Sequence, residues 1–376
     1  MSPQDLSRQC TVRYLIAMSS PESDTDEFEY SGSLVFNGVY RTEIIEDATG
    51  DSASEEEELL EQLEQNLQPK FERGRPGNPS KGYRSLDLTE YAVERDEIDE
   101  ELVELARGTI DQQYILEQYE GNAEVVDSDG NPVDAQAGEF VRTPYETYMF
   151  WNIPDYMFLK GSVRTVKKTA PEINGALRGT VRQEALSFEY DFLLWLLYNY
   201  YNDDNGFGQN LHIHRLTAAK AEGSRDTFGA ANQVDESLNL VRSTSFIEAV
   251  LQQKMPTMIE GVFNVRGYNL RAKIYSGPED DVKNRGGKVW ILAQEDIENA
   301  SDLFRALVAL RFLTEVADLY THWEGLEKTD RYVPPTFFTE LRDIGRDEGV
   351  DIQFALDDLI EEYLDKRDED WDDYDF

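Results

Sequence analysis

One cysteine, Cys10, stands alone among 376 residues. An intrachain disulfide is therefore excluded, as is any metal site built on several cysteines. No histidine is near it in the sequence, so a Cys–His nucleophile is not expected. Histidine is almost as scarce: only His212, His214 and His322 are present. Long apolar runs are missing too. The longest block, Phe192 to Leu197, is far too short to span a bilayer. The opening stretch Met1–Cys10 is polar and has no apolar core of a secretory signal. The nucleotide-binding G-x-G-x-x-G, the hydrolase G-x-S-x-G and the metalloprotease H-E-x-x-H are all lacking. Gly286-Gly287-Lys288 lacks the spacing of a phosphate loop, and its lysine enters a strand pattern rather than a helix. No cofactor is expected from these motifs.

Positive charge is the largest deficit. Lys and Arg number 36 against 76 Asp and Glu, a net charge of -40, and the pI is about 4.3. A charge so far from zero opposes a compact fold through self-repulsion. In molar salt the Debye length drops to roughly 3 Å and that repulsion fades. Disorder is the other reading of such a composition. It is rejected because hydrophobic residues make up 40% and aromatics 11%, with 20 Tyr, 18 Phe and 5 Trp. The composition fits an acidic protein of a halophilic, archaeal cytosol, or of a virion assembled there.

The deficit is uneven along the chain. Residues 1–156 hold 11 basic and 36 acidic side chains, and residues 277–376 hold 11 and 28. Residues 157–276 hold 14 and 12 and so escape the bias. Within them Lys160, Arg164, Lys167, Lys168, Arg178 and Arg182 face only Glu172 and Glu184 over 157–188, and Arg215, Lys220, Arg225, Arg266, Arg271 and Lys273 extend the basic set. One explanation is that this third is mostly core. The other is a face reserved for a partner, since a salt-adapted protein otherwise covers free surface with carboxylates. Aromatic residues flank the basic ones, with Tyr148, Trp151 and Tyr156 as contact candidates in a basic-aromatic segment 145–188. That mixture suits nucleic acid, where phosphates position the strand and rings stack on bases. Core packing of the same aromatics is the structural alternative.

Smaller signals follow. His212 and His214 flank Ile213 on a predicted strand and so share a face, which makes them candidate metal ligands with a carboxylate as third. Asp127-Ser128-Asp129-Gly130-Asn131 resembles part of a calcium loop, but the closing Glu is missing and Asp-Gly reads first as a turn. Glu260 and Lys273 could face each other across a strand pair, as acids and lysine do in metal-dependent nucleases, although acidic pairs are everywhere in this chain.

The expected elements are a strand at 11–18, a hairpin over 33–45 turning at Asn37-Gly38, and acidic amphipathic helices at 54–68 and 97–119. A Pro/Gly-rich loop or linker fills 69–86, and a hairpin or loop fills 121–140. Later come a buried helix at 186–201, a strand at 210–222, a helix at 243–254, strands over 258–275 turning near Gly267, and a strand at 287–294. A long helix at 299–323 and helices near 335–345 and 350–365 end the pattern. This order predicts an α+β protein: an antiparallel sheet packed on the long helix of the C-terminal half, with an acidic α/β N-terminal part. The expected units are 1–68, linker 69–86, a helix and hairpin over 87–142, the main α+β domain 143–367 and an acidic tail 368–376, expected to fray. The function expected is that of a non-catalytic binding or assembly protein, docking a protein partner or another copy through 157–276. The alternatives are a nucleic-acid-binding or processing protein and a metal-dependent hydrolase.

Overall fold

Runs of β-branched and aromatic residues dominate the strands, and their alternation decides which sheet face they line. The computed structural model describes residues 33–45, 63–67, 69–121, 125–126, 132–133, 140–207, 210–226, 229–235, 237, 240–276, 287–347 and 356–374. The strand expected at 11–18 and the Asp127–Asn131 loop lie outside these residues. Of the helix expected at 54–68 only 63–67 are described; Leu63 and Leu67 there are buried.

The strands are β1 (Leu34–Ile44), β2 (Lys81–Ser85), β3 (Thr109–Gly121), β4 (Val125–Val126), β5 (Pro132–Val133), β6 (Phe140–Asn152), β7 (Tyr156–Lys160), β8 (Val181–Ala185), β9 (Gly206–Phe207), β10 (Leu211–Asp226), β11 (Gly229–Val234), β12 (Met255–Val265), β13 (Tyr268–Tyr275) and β14 (Lys288–Gln294). The helices are α1 (Leu88–Val93), α2 (Glu100–Arg107), α3 (Val163–Ala176), α4 (Tyr190–Tyr201), α5 (Thr244–Leu251), α6 (Asp302–Glu324), α7 (Lys328–Arg331), α8 (Thr336–Asp347) and α9 (Leu356–Arg367). Twelve strands form one sheet in the order β11-β10-β12-β13-β14-β1-β7-β6-β3-β2; β8 pairs with β1 and β9 with β10, while β4 and β5 pair separately. The named strand pairs are all antiparallel, so the α+β expectation holds.

One side of the sheet is covered by helices along its length. There α6 is the centre. Ser301 caps it by accepting the Phe304 N–H at 3.3 Å, and Gly325 follows its end. Its Leu307, Leu310, Phe312, Leu313, Val316 and Trp323 are buried in a core shared with α4, α5 and the inward residues of β10 and β12–β14. Tyr156 on β7 meets the Thr321 hydroxyl at 3.0 Å, and Arg41 on β1 reaches both Thr321 and Glu324, which ties sheet to helix. On the other side, α3 covers the β1–β7–β6–β3 half. Its Val166, Ala170 and Ile173 pack with Met149, Trp151, Met157 and Leu159 in a second core. β7 is thus buried on both faces.

Four expectations change. Asn37-Gly38 is no turn: β1 runs straight through it, and the register with β7 slips between Phe36 and Gly38. A two-residue hairpin turn of this kind would need positive φ, which Gly38 does not adopt. The extra residue, Asn37, is buried and donates from Nδ2 to the Gly161 carbonyl at 2.5 Å. The helix expected over 97–119 stops at Arg107 with Gly108 as its C-cap, and Ile110 and Tyr114 belong to β3. A spacing of four fits one helical face, yet as a multiple of two it also fits one strand face. Thirteen residues of pairing with β6 decide it. Within the segment read as a loop, 81–85 form β2. The acidic tail is tied back as far as Tyr374, because buried Arg367 donates to Glu369 at 2.6 Å and to the Tyr374 hydroxyl at 3.0 Å.

Candidate partner-binding face

The half of the sheet not covered by α3 has a distinctive second face. On β13, Leu270, Ala272 and Ile274 point into the core while Arg271, Lys273 and Tyr275 point away. On β14, Val289 and Ile291 point in, and Lys288 and Trp290 point away. β12 does the same, with Ile259, Phe263 and Val265 inward and Glu260, Val262 and Asn264 outward. Register aligns these outward residues in rows. Ala218, Glu260, Lys273, Trp290 and Val35 form one row, and Lys220, Met258, Tyr275 and Lys288 the next. Arg215, Val262 and Arg271 form a third, and His212, Asn264 and Asn269 a fourth.

The four strands β10, β12, β13 and β14 carry six basic residues and three acidic ones. Glu260 is buried, at 3% exposure. Arg271 donates to its Oε1 from Nε at 2.6 Å, and Lys273 Nζ lies 3.0 Å from its Oε2. One carboxylate thus balances two cations, and Lys220 pairs with Glu222 beside it. Ammonium groups also rest on rings. Lys288 Nζ sits 4.0 Å above the Tyr275 ring and 5.7 Å from that of Trp290, and Lys273 is 5.6 Å from Trp290. Such contacts stabilise by about 0.5–2 kcal/mol as desolvation increases. Burial, and then the Glu260 charge, raise the Tyr275 phenol above its ordinary pKa, so it stays a neutral donor. The Trp290 Nε1–H is buried with no hydrogen-bond partner among the described residues.

The residues selected from sequence fall in several places. Arg215 and Lys220 belong to this face; Arg215 is exposed. His212 and His214 are both exposed, ring centroids 5.1 Å apart. No group of three His, Cys, Asp or Glu able to hold a metal exists among the described residues, so the pair has no third ligand there. Glu260 and Lys273 do meet, as an ion pair.

The basic set of 157–188 sits elsewhere. Arg164 and Lys168 on α3 lie over the Tyr145 ring at 5.8 and 3.8 Å, and Lys168 also donates to Gln118 at 3.0 Å. Lys167 is exposed on the same helix, Arg178 is exposed just after it, and exposed Arg182 on β8 bonds Glu43 at 2.5 Å. Lys160 is half-buried on β7, 4.2 Å above the Tyr148 ring. Burial lowers its pKa to about 8, and Asp302 opposes that shift. The aromatic contact candidates need correction. Trp151 is fully buried with its Nε1 donating to Thr42, and Tyr156 is buried against α6, so neither ring is available to a partner. Tyr148 is half-buried against the core and under Lys160.

Sequence reasoning missed Tyr275, Lys288 and Trp290, the last two because the basic segment was ended at 276. Alternation over 270–275 and 288–291 is the signal that places them. Elsewhere, a cavity of about 550 Å³ lies between α2 and α6, lined by Glu100, Glu101, Glu104, Arg266 and Arg311. Arg266 there pairs with Glu101, and Arg311 with Glu315. No helix among the described residues is long and apolar enough to cross a membrane. A scan of protein-family models finds none that matches the chain. No relative is found among curated proteins.

Proposed function

We propose that this is a binding protein of a larger assembly, cellular or virion, which docks an anionic partner on the outward face of β10, β12, β13 and β14. One observation carries the reading: a chain of net charge -40 turns basic and aromatic on the outward face of these strands, opposite the face whose residues share a core with α4, α5 and α6. The carboxylates elsewhere hold the protein in solution in a salt-rich cytosol. On this face Glu260 and Glu222 are paired with Arg271, Lys273 and Lys220, so the bases keep the excess there. Enclosure of Glu260 by Arg271 and Lys273 fixes the cations in place, so little side-chain entropy is lost on binding. The test is retention of the full chain on an immobilised polyanion, polyaspartate or oligonucleotide, over a range of KCl. Arg215→Glu combined with Lys288→Glu should elute at lower salt than the parent. Equal elution of the two proteins would overturn the reading.

A further inference from the structure

We infer that the partner on this face is single-stranded nucleic acid, with bases stacked on Tyr275 and Trp290 and phosphates held by Lys288, Lys273, Arg271 and Arg215. The inference rests on the anionic-partner reading and narrows it. Three features favour a nucleic acid over an acidic protein. Lysine is depleted from the centres of protein interfaces, yet Lys220, Lys273 and Lys288 stand in adjacent rows here. Each ring has an ammonium within 6 Å. A base can take the ring face while the displaced ammonium meets the neighbouring phosphate, so ring and cation serve one nucleotide together. The row His212, Asn264 and Asn269 supplies imidazole and amide groups, which both donate to and accept from base edges, whereas a carboxylate uses their donors alone. Asn264 already donates to Asn269 at 2.9 Å, which orients both amides.

Geometry selects a single strand. β10 to β14 spans three strand spacings, roughly 14 Å, a platform that suits two or three splayed bases. The DNA major groove admits a helix or a two-stranded ribbon, and a face four strands wide does not enter it. Bases stacked on rings also persist where salt weakens phosphate contacts.

The experiment measures anisotropy of a fluorescein-labelled oligothymidylate with the full chain in KCl, with duplex DNA and polyaspartate as competitors. The labelled strand should bind and resist both competitors. Trp290→Ala and Tyr275→Ala should each weaken binding about 5- to 150-fold, the loss of one stacked base, while Trp290→Phe keeps most of it. Arg215→Glu changes an exposed side chain, so its folding is safe. It should weaken binding and reduce the salt slope by about one. Arg182→Ala, outside the face, should change nothing. If polyaspartate competes as well as oligothymidylate and Trp290→Ala binds both like the parent, the nucleic-acid inference falls and the anionic-partner reading stands. If the parent binds neither polyanion at any salt, both fall. Effects of Arg182→Ala equal to those of Arg215→Glu would also overturn the assignment of the face.

Discussion

Asp111 should make this protein more stable when its charge is removed at neutral pH. The side chain lies on β3 at 7% exposure and accepts the Leu88 N–H at 2.9 Å. Burial raises its pKa from 3.8 to about 7; the Leu88 N–H works against the rise, and Asp87 and Glu64 add to it. The folded pKa therefore exceeds the unfolded one. Between those values the folded chain holds a proton that the unfolded chain has released. The associated stability is fully present below the unfolded pKa and is lost as pH rises through the folded one. At about 1.4 kcal/mol for each tenfold change, the full effect is on the order of 4 kcal/mol. Asp111→Asn keeps an acceptor for Leu88 and cannot ionise. Urea unfolding in molar KCl should show Asn more stable than the parent by about 2–4 kcal/mol above pH 7, with the gap closing toward pH 4. Asp111→Ala cannot ionise either but orphans the Leu88 N–H, so it should be about 1–3 kcal/mol less stable than the Asn variant at every pH. An Asn variant less stable than the parent at pH 8, or a gap that ignores pH, would refute the reasoning. Molar salt does not erase the effect, because its main cause is burial and not the neighbouring charges.

Other outcomes follow from charge and packing. Thermal unfolding followed by circular dichroism should shift down steeply as KCl falls from molar to about 0.1 M, because the Debye length widens to about 10 Å and the flanks repel; a melting point independent of salt would contradict the salt-adapted reading. Glu260→Gln leaves Arg271 and Lys273 with no shared counter-charge, and their partial exposure limits the cost to about 1–3 kcal/mol; a denaturation midpoint unchanged from the parent would show that the pair is idle. Gly261→Ala would place a Cβ 2.8 Å from the Arg215 carbonyl and 2.9 Å from Leu216 Cδ2. Since backbone must move, about 1–3 kcal/mol should be lost in urea unfolding, and a neutral result would mean that β10 and β12 part easily.

Legibility in the sequence followed the strength of local signals. The long helix was visible because Ser301 and Asp302 mark its start and apolar residues recur from Leu303 to Trp323. The β12–β13 hairpin was visible because Gly267 separates two alternating runs, and it does adopt positive φ, at 93°. Asn37-Gly38 misled because turn chemistry is local, whereas the bulge depends on Gly161, 124 residues away. Trp151 and Tyr156 misled for a related reason. Aromatic density marks a core and a binding surface alike, and only the position of α3 and α6 separates the two. Neither helix announces in sequence which half of the sheet it will cover.

The same point governs the charge gap. Residues 157–276 are poor in carboxylates for two reasons that composition cannot divide. Part of the gap is core: α4 buries Phe192, Leu193, Leu194, Leu196 and Leu197, and α5 buries Phe246, Ile247 and Val250. A buried helix has no use for solvating charge. The rest lies on β10 and β13, where the solvent-reached outward positions could hold Asp or Glu. They hold Arg215, Lys220, Arg271 and Lys273 instead, around the single buried Glu260 of β12, and β14 extends the pattern with Lys288 and Trp290 beyond the neutral third. Core burial accounts for missing acids. It does not account for bases and rings placed in register on the outward face, and that surplus is what the docking proposal explains.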